Sequence, residues 1–383
     1  SEPVYDGAAL AAHGAVVVTL NYRLHVFGYL AIPGSGANFG LRDQLAALGW
    51  VKRHAAAFGG DPGNITVLGE SAGAGSVHSL LASPAGDGLF QKAVMQSGGF
   101  NQLTGLQERR SLAQAHAVSR KLFDALGDDR LDHLRHIPAP DVWQCAERLF
   151  GFDLGKGEII LPHQLVWAPV EDGELLPFGS ATMLRGQRPL LFGWNANEGR
   201  YFFRPGTIFT RENVGYVASR LCGLAPDQVS TLLAIDSDEA VYESLDRLFS
   251  TAMGAETAIT LGGQADAQDT PAYIYTFRRV SPGAARTRLL ANHTAELPYM
   301  FGTLEKVDGD YEDTDRRLSR TMQRAWVAFA KTGAPMLDDR PWPRFARGDP
   351  RIAVFDDAGE VRRFSADPLF RAIQAERAKR AGE

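Results

Sequence analysis

The hydrophobic pattern begins with a short, nearly continuous apolar run. Ala15-Val16-Val17-Val18-Thr19-Leu20-Asn21 follows His13-Gly14, as expected of a strand buried on both faces of a parallel sheet. Leu41, Leu45, Leu48, Val51, Ala55 and Phe58 then recur at helical spacing, and Gly59-Gly60 supplies a left-handed cap. Ile65-Thr66-Val67-Leu68 predicts a second strand, the small residues from Ala72 through Leu81 a helix, and Ala93-Val94-Met95 a third strand. Strand and helix alternate through the first hundred residues, which predicts an α/β fold with a mostly parallel sheet and crossover helices.

Beyond that point the pattern turns helical and charged from Leu103 to Ile137, and helical again from Arg211 to Ala267. Strands are predicted at Pro189–Gly193, Ala272–Val280 and Ile352–Phe355. A helix over Ser319–Lys331 ends at Gly333 and Pro335, and a charged helix follows Pro368. This reads as one α/β unit over 1–383, with helical excursions at about 101–165 and 205–267 and no linker between them. No internal repeat or low-complexity tract interrupts it.

Composition narrows the function classes. Apolar residues make up 45% and charged residues 22%, as in an ordinary globular protein. The formal net charge of −5 argues against nucleic acid or an acidic membrane as the main partner, since both need a dense basic footprint. No run of eighteen apolar residues predicts a spanning helix. The two cysteines, Cys145 and Cys222, imply neither a disulfide framework nor a metal site. No cofactor is implied.

The candidate chemistry starts at Gly69-Glu70-Ser71-Ala72-Gly73. A strand runs into this Gly-x-Ser-x-Gly and a small-residue helix leaves it, the setting of a nucleophile elbow on which the serine Oγ stands above the sheet. A neutral hydroxyl needs a base, and the base needs an orienting acid. Nine histidines are present and six follow Ser71. His78 lies on the helix after the elbow, and His116, His133 and His136 fall in the charged excursion. His163 has few preceding strand ends to supply an acid. His293, in the loop after the Ala272–Val280 strand, is best placed by chain order. Glu198, reached from the Pro189–Gly193 strand through Asn195-Ala196-Asn197, is the leading acid. Asp172 is the runner-up, although Glu171-Asp172-Gly173 reads more naturally as a turn.

These motifs resemble the type-B carboxylesterases, the carboxylesterase/cholinesterase branch of the α/β-hydrolases. The match includes Asn21-Tyr22-Arg23-Leu24 with Phe27-Gly28, Gly40-Leu41-Arg42-Asp43-Gln44, and Ala57-Phe58-Gly59-Gly60-Asp61-Pro62 leading into Gly69–Ala74. Gln96-Ser97-Gly98, Pro169–Gly173, Asn197-Glu198-Gly199 and His293-Thr294-Ala295-Glu296-Leu297-Pro298-Tyr299 follow in family order. The resemblance implies an α/β-hydrolase fold and hydrolysis of small or aromatic carboxylic esters through an acyl-enzyme. It makes Ser71 the nucleophile, Glu198 the acid, His293 the base and the Ala72 N–H an oxyanion donor. Glu70 is placed near the active-site water, or else it bonds neighbouring backbone. Phe202 and Phe203, within a turn of Glu198, are candidates to line the approach to the site. The family usually has glycine where His25 stands.

The resemblance also carries an expectation about extent. The family's His-Gly-Gly-type oxyanion loop and first strands precede the stretch matching Glu2-Pro3-Val4-Tyr5-Asp6-Gly7, so the chain is expected to be the C-terminal part of a longer esterase. Loss of a single oxyanion donor typically costs about 10²–10³ in rate, so weak turnover is expected. The alternatives are an inactive fragment or binding module of the same fold, or another serine acyl hydrolase such as an amidase, lipase or thioesterase. Alanine- and arginine-rich composition with few cysteines favours a bacterial cytoplasmic setting.

Overall fold

The structure, a computed structural model, describes residues 2–99, 110–127, 131–151, 165–180, 183–203, 209–233 and 235–381. Its centre is a six-stranded sheet whose strands lie side by side in chain order. They are β1 (Thr66–Glu70), β2 (Lys92–Gln96), β3 (Leu190–Asn195), β4 (Ala272–Phe277), β5 (Arg351–Phe355) and β6 (Gly359–Arg363). The first five run parallel and β6 returns antiparallel to β5. Glu70 is in register with Gln96, and Gln96 with Gly193. The C-terminal ends of β1, β2 and β3 therefore finish close together on one edge of the sheet, where ligands bind in open α/β sheets.

The period-two alternation of the strands builds two cores. Ala93, Met95, Leu190, Phe192, Ile274, Ile352 and Val354 face one way. They meet Leu41 and Leu48 of helix α1 (Phe39–His54), and Val77, Leu80 and Leu81 of α2 (Ala72–Ala82). Val94, Leu191, Tyr273, Tyr275, Phe277, Ala353 and Phe355 face the other way. Their partners are Met300 and Phe301 of α3 (Leu297–Phe301), and Leu318, Met322, Trp326 and Phe329 of α4 (Asp313–Thr332). The sheet is thus a buried middle layer, and its strands are almost wholly apolar for that reason. A third cluster, including Val217, Leu245 and Phe249, packs the helices of the second excursion on themselves.

Most predicted elements are present, with boundaries moved by a few residues. The helix predicted over Ser319–Lys331 starts earlier, at Asp313, where Glu312 and Asp315 form a reciprocal cap. The short strand β6, at Gly359–Arg363, was not foreseen. It alternates apolar and charged residues weakly and gains its pairing from β5.

One expectation is corrected. Ala15–Asn21 is extended but belongs to no ladder among the described residues. Ala15 and Val17 pack on the second core, while Val16 (48%), Val18 (49%) and Leu20 (38%) are exposed. Burial on both faces requires a packed layer on each, and only one face of this segment meets the core. β1 likewise pairs only with β2, and its Leu68 is 38% exposed.

An ion cluster around buried Asp315 and Arg279 fixes the base of α3. The Arg279 guanidinium bonds Asp315, Glu312 and Asp357, each at 2.6 Å, and the Tyr299 hydroxyl donates to Asp315 at 2.6 Å. Asp315 is fully buried, and its carboxyl is held below the usual range against burial by Arg279, Tyr299 and the Glu312 amide. Charge-assisted bonds of this kind are about twice as strong as neutral ones. They anchor the helix that follows the His293 loop.

Candidate active site

The site is assembled from three strand ends. β1 stops at Glu70, and Ser71 takes φ 56° and ψ −119° before α2 begins at Ala72. That conformation is rare for any residue but glycine, and its strain is the mark of an elbow. The sequence permits it by removing side chains. A Cβ on Gly69 would sit 2.2 Å from the Gly73 carbonyl oxygen, and one on Gly98 2.5 Å from that of Ser71. A Cβ at Gly73 meets nothing within 4 Å, so of the two motif glycines it is Gly69 that the packing demands. The Ser71 N–H donates to the Gln96 carbonyl at 2.9 Å, which ties the elbow to β2. The Ala72 N–H lies in the first turn of α2, where amides have no intrahelical acceptor.

Glu198 lies three residues beyond β3 and is fully buried. Its Oε1 accepts from the Asn195 N–H at 2.6 Å, and its Oε2 lies 2.5 Å from Nδ1 of His293. His293, 3% exposed, stands in the loop between β4 and α3. Its Nε2 is 3.3 Å from Oε1 of Glu70. The rings of Phe202 and Tyr201 lie 5.1 and 5.8 Å from the imidazole. Phe203 packs instead with Phe209 and Phe249.

Burial and charge oppose each other at this cluster. Burial pulls the His293 imidazolium down, but Glu198, through its charge and hydrogen bond, together with Glu70 and Glu296, pushes the group up to about 9. Burial pushes Glu70 up to about 8, against His293 and with help from Glu296 and Glu198. The two groups are coupled: a charged Glu70 favours the His293 imidazolium, while burial favours the protonated Glu70 carboxyl.

Glu70, Glu198 and His293 thus meet in one place, and Ser71 and Ala72 follow Glu70 directly in the chain. The other candidates do not join them. Asp172 accepts the N–H groups of Glu174, Leu175 and Leu176 at 2.8–3.1 Å, a turn role, and bonds Asn38. His78 is buried in α2, His133 and His136 are exposed, and His163 lies outside the described residues. His25, at φ 54°, pairs through Nε2 with Glu147 at 2.8 Å and stacks near Trp143 and Trp167. Cys145 and Cys222 are both buried. Among the described residues no group of three or more His, Cys, Asp or Glu is placed to hold a metal, and no helix is long and apolar enough to cross a membrane. The motif reading did not single out the individual roles of Gln96, Asn195 and Glu296. All three are buried polar residues, Gln96 and Asn195 at strand ends and Glu296 at the start of α3, although two lay inside motifs already noted.

Known proteins share this arrangement of chain and fold. A model of the carboxylesterase family matches residues 1–367. The para-nitrobenzyl esterase of Bacillus subtilis (strain 168) is 35% identical over 377 residues, covering 93% of this chain and 72% of its own length. The fumonisin B1 esterase of Sphingopyxis macrogoltabida is 32% identical over 367 residues, covering 90% of this chain, which spans 64% of that protein. The solved structure of PNB esterase superposes with a TM-score of 0.79 at 32% identity, over 97% of this chain and 78% of that one.

Proposed function

The chain belongs to the carboxylesterase family and is a carboxylic-ester hydrolase, and we propose that Ser71, His293 and Glu198 are its nucleophile, base and acid. The observation that carries this reading is the 2.5 Å bond from His293 Nδ1 to buried Glu198, formed beside a serine in elbow conformation. Ser71 Oγ turns to His293 Nε2, gives up its proton there and attacks the ester carbonyl carbon. The Ala72 N–H donates to the oxygen that becomes charged. The imidazolium returns the proton to the departing alcohol, and water then releases the acid by the same route. Glu198 holds the tautomer and stabilises the imidazolium. Small or aromatic esters are the expected substrates, by resemblance to the family.

Covalent labelling tests the assignment. A p-nitrophenyl phosphonate is expected to add one phosphonyl group, at Ser71, and to abolish turnover of p-nitrophenyl acetate in proportion to labelling. Stoichiometric labelling elsewhere, or full labelling with turnover intact, overturns it.

The pH profile is a second expectation. Only neutral His293 can take the serine proton, so kcat/KM should climb through the neutral range and level off above about pH 9. Glu70 adds to the upward shift of His293. Glu70→Gln should therefore move the rising limb to lower pH, and pH–rate profiles of the two proteins check the direction. An upward move sinks the proposed coupling.

A further inference from the structure

We infer that Asn195 is a positioning residue for the reaction, one that aligns the acid and the base together through a buried clasp with Glu296 and Gln96. The inference rests on the roles proposed for Ser71, Glu198 and His293, and it concerns what holds them in register.

Asn195 is the last residue of β3 and is fully buried. Its backbone N–H donates to Glu198 Oε1 at 2.6 Å, which aims the other carboxylate oxygen at the imidazole. Its side-chain amide nitrogen donates twice. One bond goes to the carbonyl of Asn292, directly before His293, at 2.8 Å, and the other to Oε2 of Glu296, three residues after it, at 2.5 Å. A single residue therefore grips the acid and both flanks of the histidine loop.

Glu296 extends the clasp across the sheet. It is fully buried, and no cationic side chain pairs with it among the described residues. Its Oε1 accepts from the Gln96 amide at 2.8 Å. Gln96 Oε1 accepts from Trp326 Nε1 at 3.1 Å, and the Gln96 carbonyl accepts the Ser71 N–H at 2.9 Å. The hydrogen bonds thus run without a break from the elbow, through β2 and Glu296, to Asn195 and the two residues it aligns. A buried carboxylate without a counter-cation opposes folding. Here it is held by two amide donors, and it is the acceptor that both amides require.

The donor and acceptor count explains the residue types. Asn195 must give two N–H bonds from a short side chain, which aspartate cannot do and serine does only once. Glu296 must accept twice with no donor of its own. A glutamine there accepts from one amide and turns an N–H₂ towards the other.

The test is steady-state hydrolysis of p-nitrophenyl acetate by the 383-residue protein, its N195D, E296Q and S71A variants, with thermal unfolding of each. N195D keeps size and the backbone N–H but removes both side-chain donors and sets a carboxylate against Glu296. It is expected to lower kcat about 10- to 100-fold with KM within about 2-fold, the signature of lost alignment in the transition state. E296Q removes one tether and is expected to lower kcat about 10-fold, again with KM little changed. Native kcat in a folded N195D overturns the inference. If N195D does not fold, E296Q decides, and native kcat there overturns it even if the melting temperature falls. Turnover that survives in S71A at the native rate instead sinks the assignment of Ser71, which distinguishes the two failures.

Discussion

Ser71→Ala is expected to take ester turnover down by about 10⁴-fold or more, and His293→Ala is expected to do the same. The two side chains act in one step. Without Oγ there is no acyl-enzyme, and without Nε2 there is no acceptor for the Oγ proton, so either loss stops the covalent route. The double variant should therefore be no slower than either single one, because a step already absent cannot be slowed again. Steady-state rates of p-nitrophenyl acetate hydrolysis for the three variants check both the size and the non-additivity. Stability should separate the two variants. Ser71 holds φ 56°, and alanine has the same backbone strain, so S71A should melt close to the native protein. His293→Ala leaves Glu198 buried without its Nδ1 partner, and a buried carboxylate stripped of its partner typically costs about 3–5 kcal/mol. If the two losses of activity multiply instead, Ser71 and His293 act in separate steps.

The sheet and the elbow could be read from the chain because each is a local pattern. Ile65–Leu68 is apolar and is followed at once by small residues, and both strand and turn are written there within ten positions. The pairing of Glu198 with His293 was a matter of chain order and family pattern, since 95 residues separate them and no periodicity links them. The clasp was less legible still. Gln96, Asn195 and Glu296 lie on three different segments, and a buried glutamate reads the same in sequence as an exposed one. Only the parallel register, which stacks Glu70, Gln96 and Gly193 across three strands, brings them together. Ala15–Asn21 failed for the opposite reason. Its local pattern says strand, but burial on both faces depends on neighbours that a local pattern does not contain. Asp172 shows the same limit from the other side, since its place after an apolar stretch suited an acid while its carboxylate is occupied by three backbone amides.

Glu198→Gln is expected to lower kcat by about 10⁴-fold, or about 5.5 kcal/mol of transition-state stabilisation, with the fold intact. The carboxylate does two things that the amide cannot do together. One oxygen accepts from the Asn195 N–H at 2.6 Å and the other faces His293 Nδ1 at 2.5 Å, so both contacts need an acceptor. Glutamine has one. If its oxygen keeps the Asn195 bond, its N–H₂ faces Nδ1, the histidine proton moves to Nε2, and the nitrogen that must take the serine proton is already occupied. If the amide is turned over, its N–H₂ opposes the Asn195 N–H and the side chain loses its hold on β3. Charge acts in the same direction. Glu198 is the main influence raising His293, and without it the imidazolium that forms in the transition state loses its counter-ion. The rising limb of the pH profile should therefore move to lower pH even as the plateau collapses. Asp172→Asn is the matched control, because its carboxylate bonds a turn rather than the imidazole, and its kcat should stay within a few-fold of native. Measured kcat values for the two variants decide between the acids. A folded E198Q within about 10-fold of native, or a D172N that collapses instead, transfers the role away from Glu198.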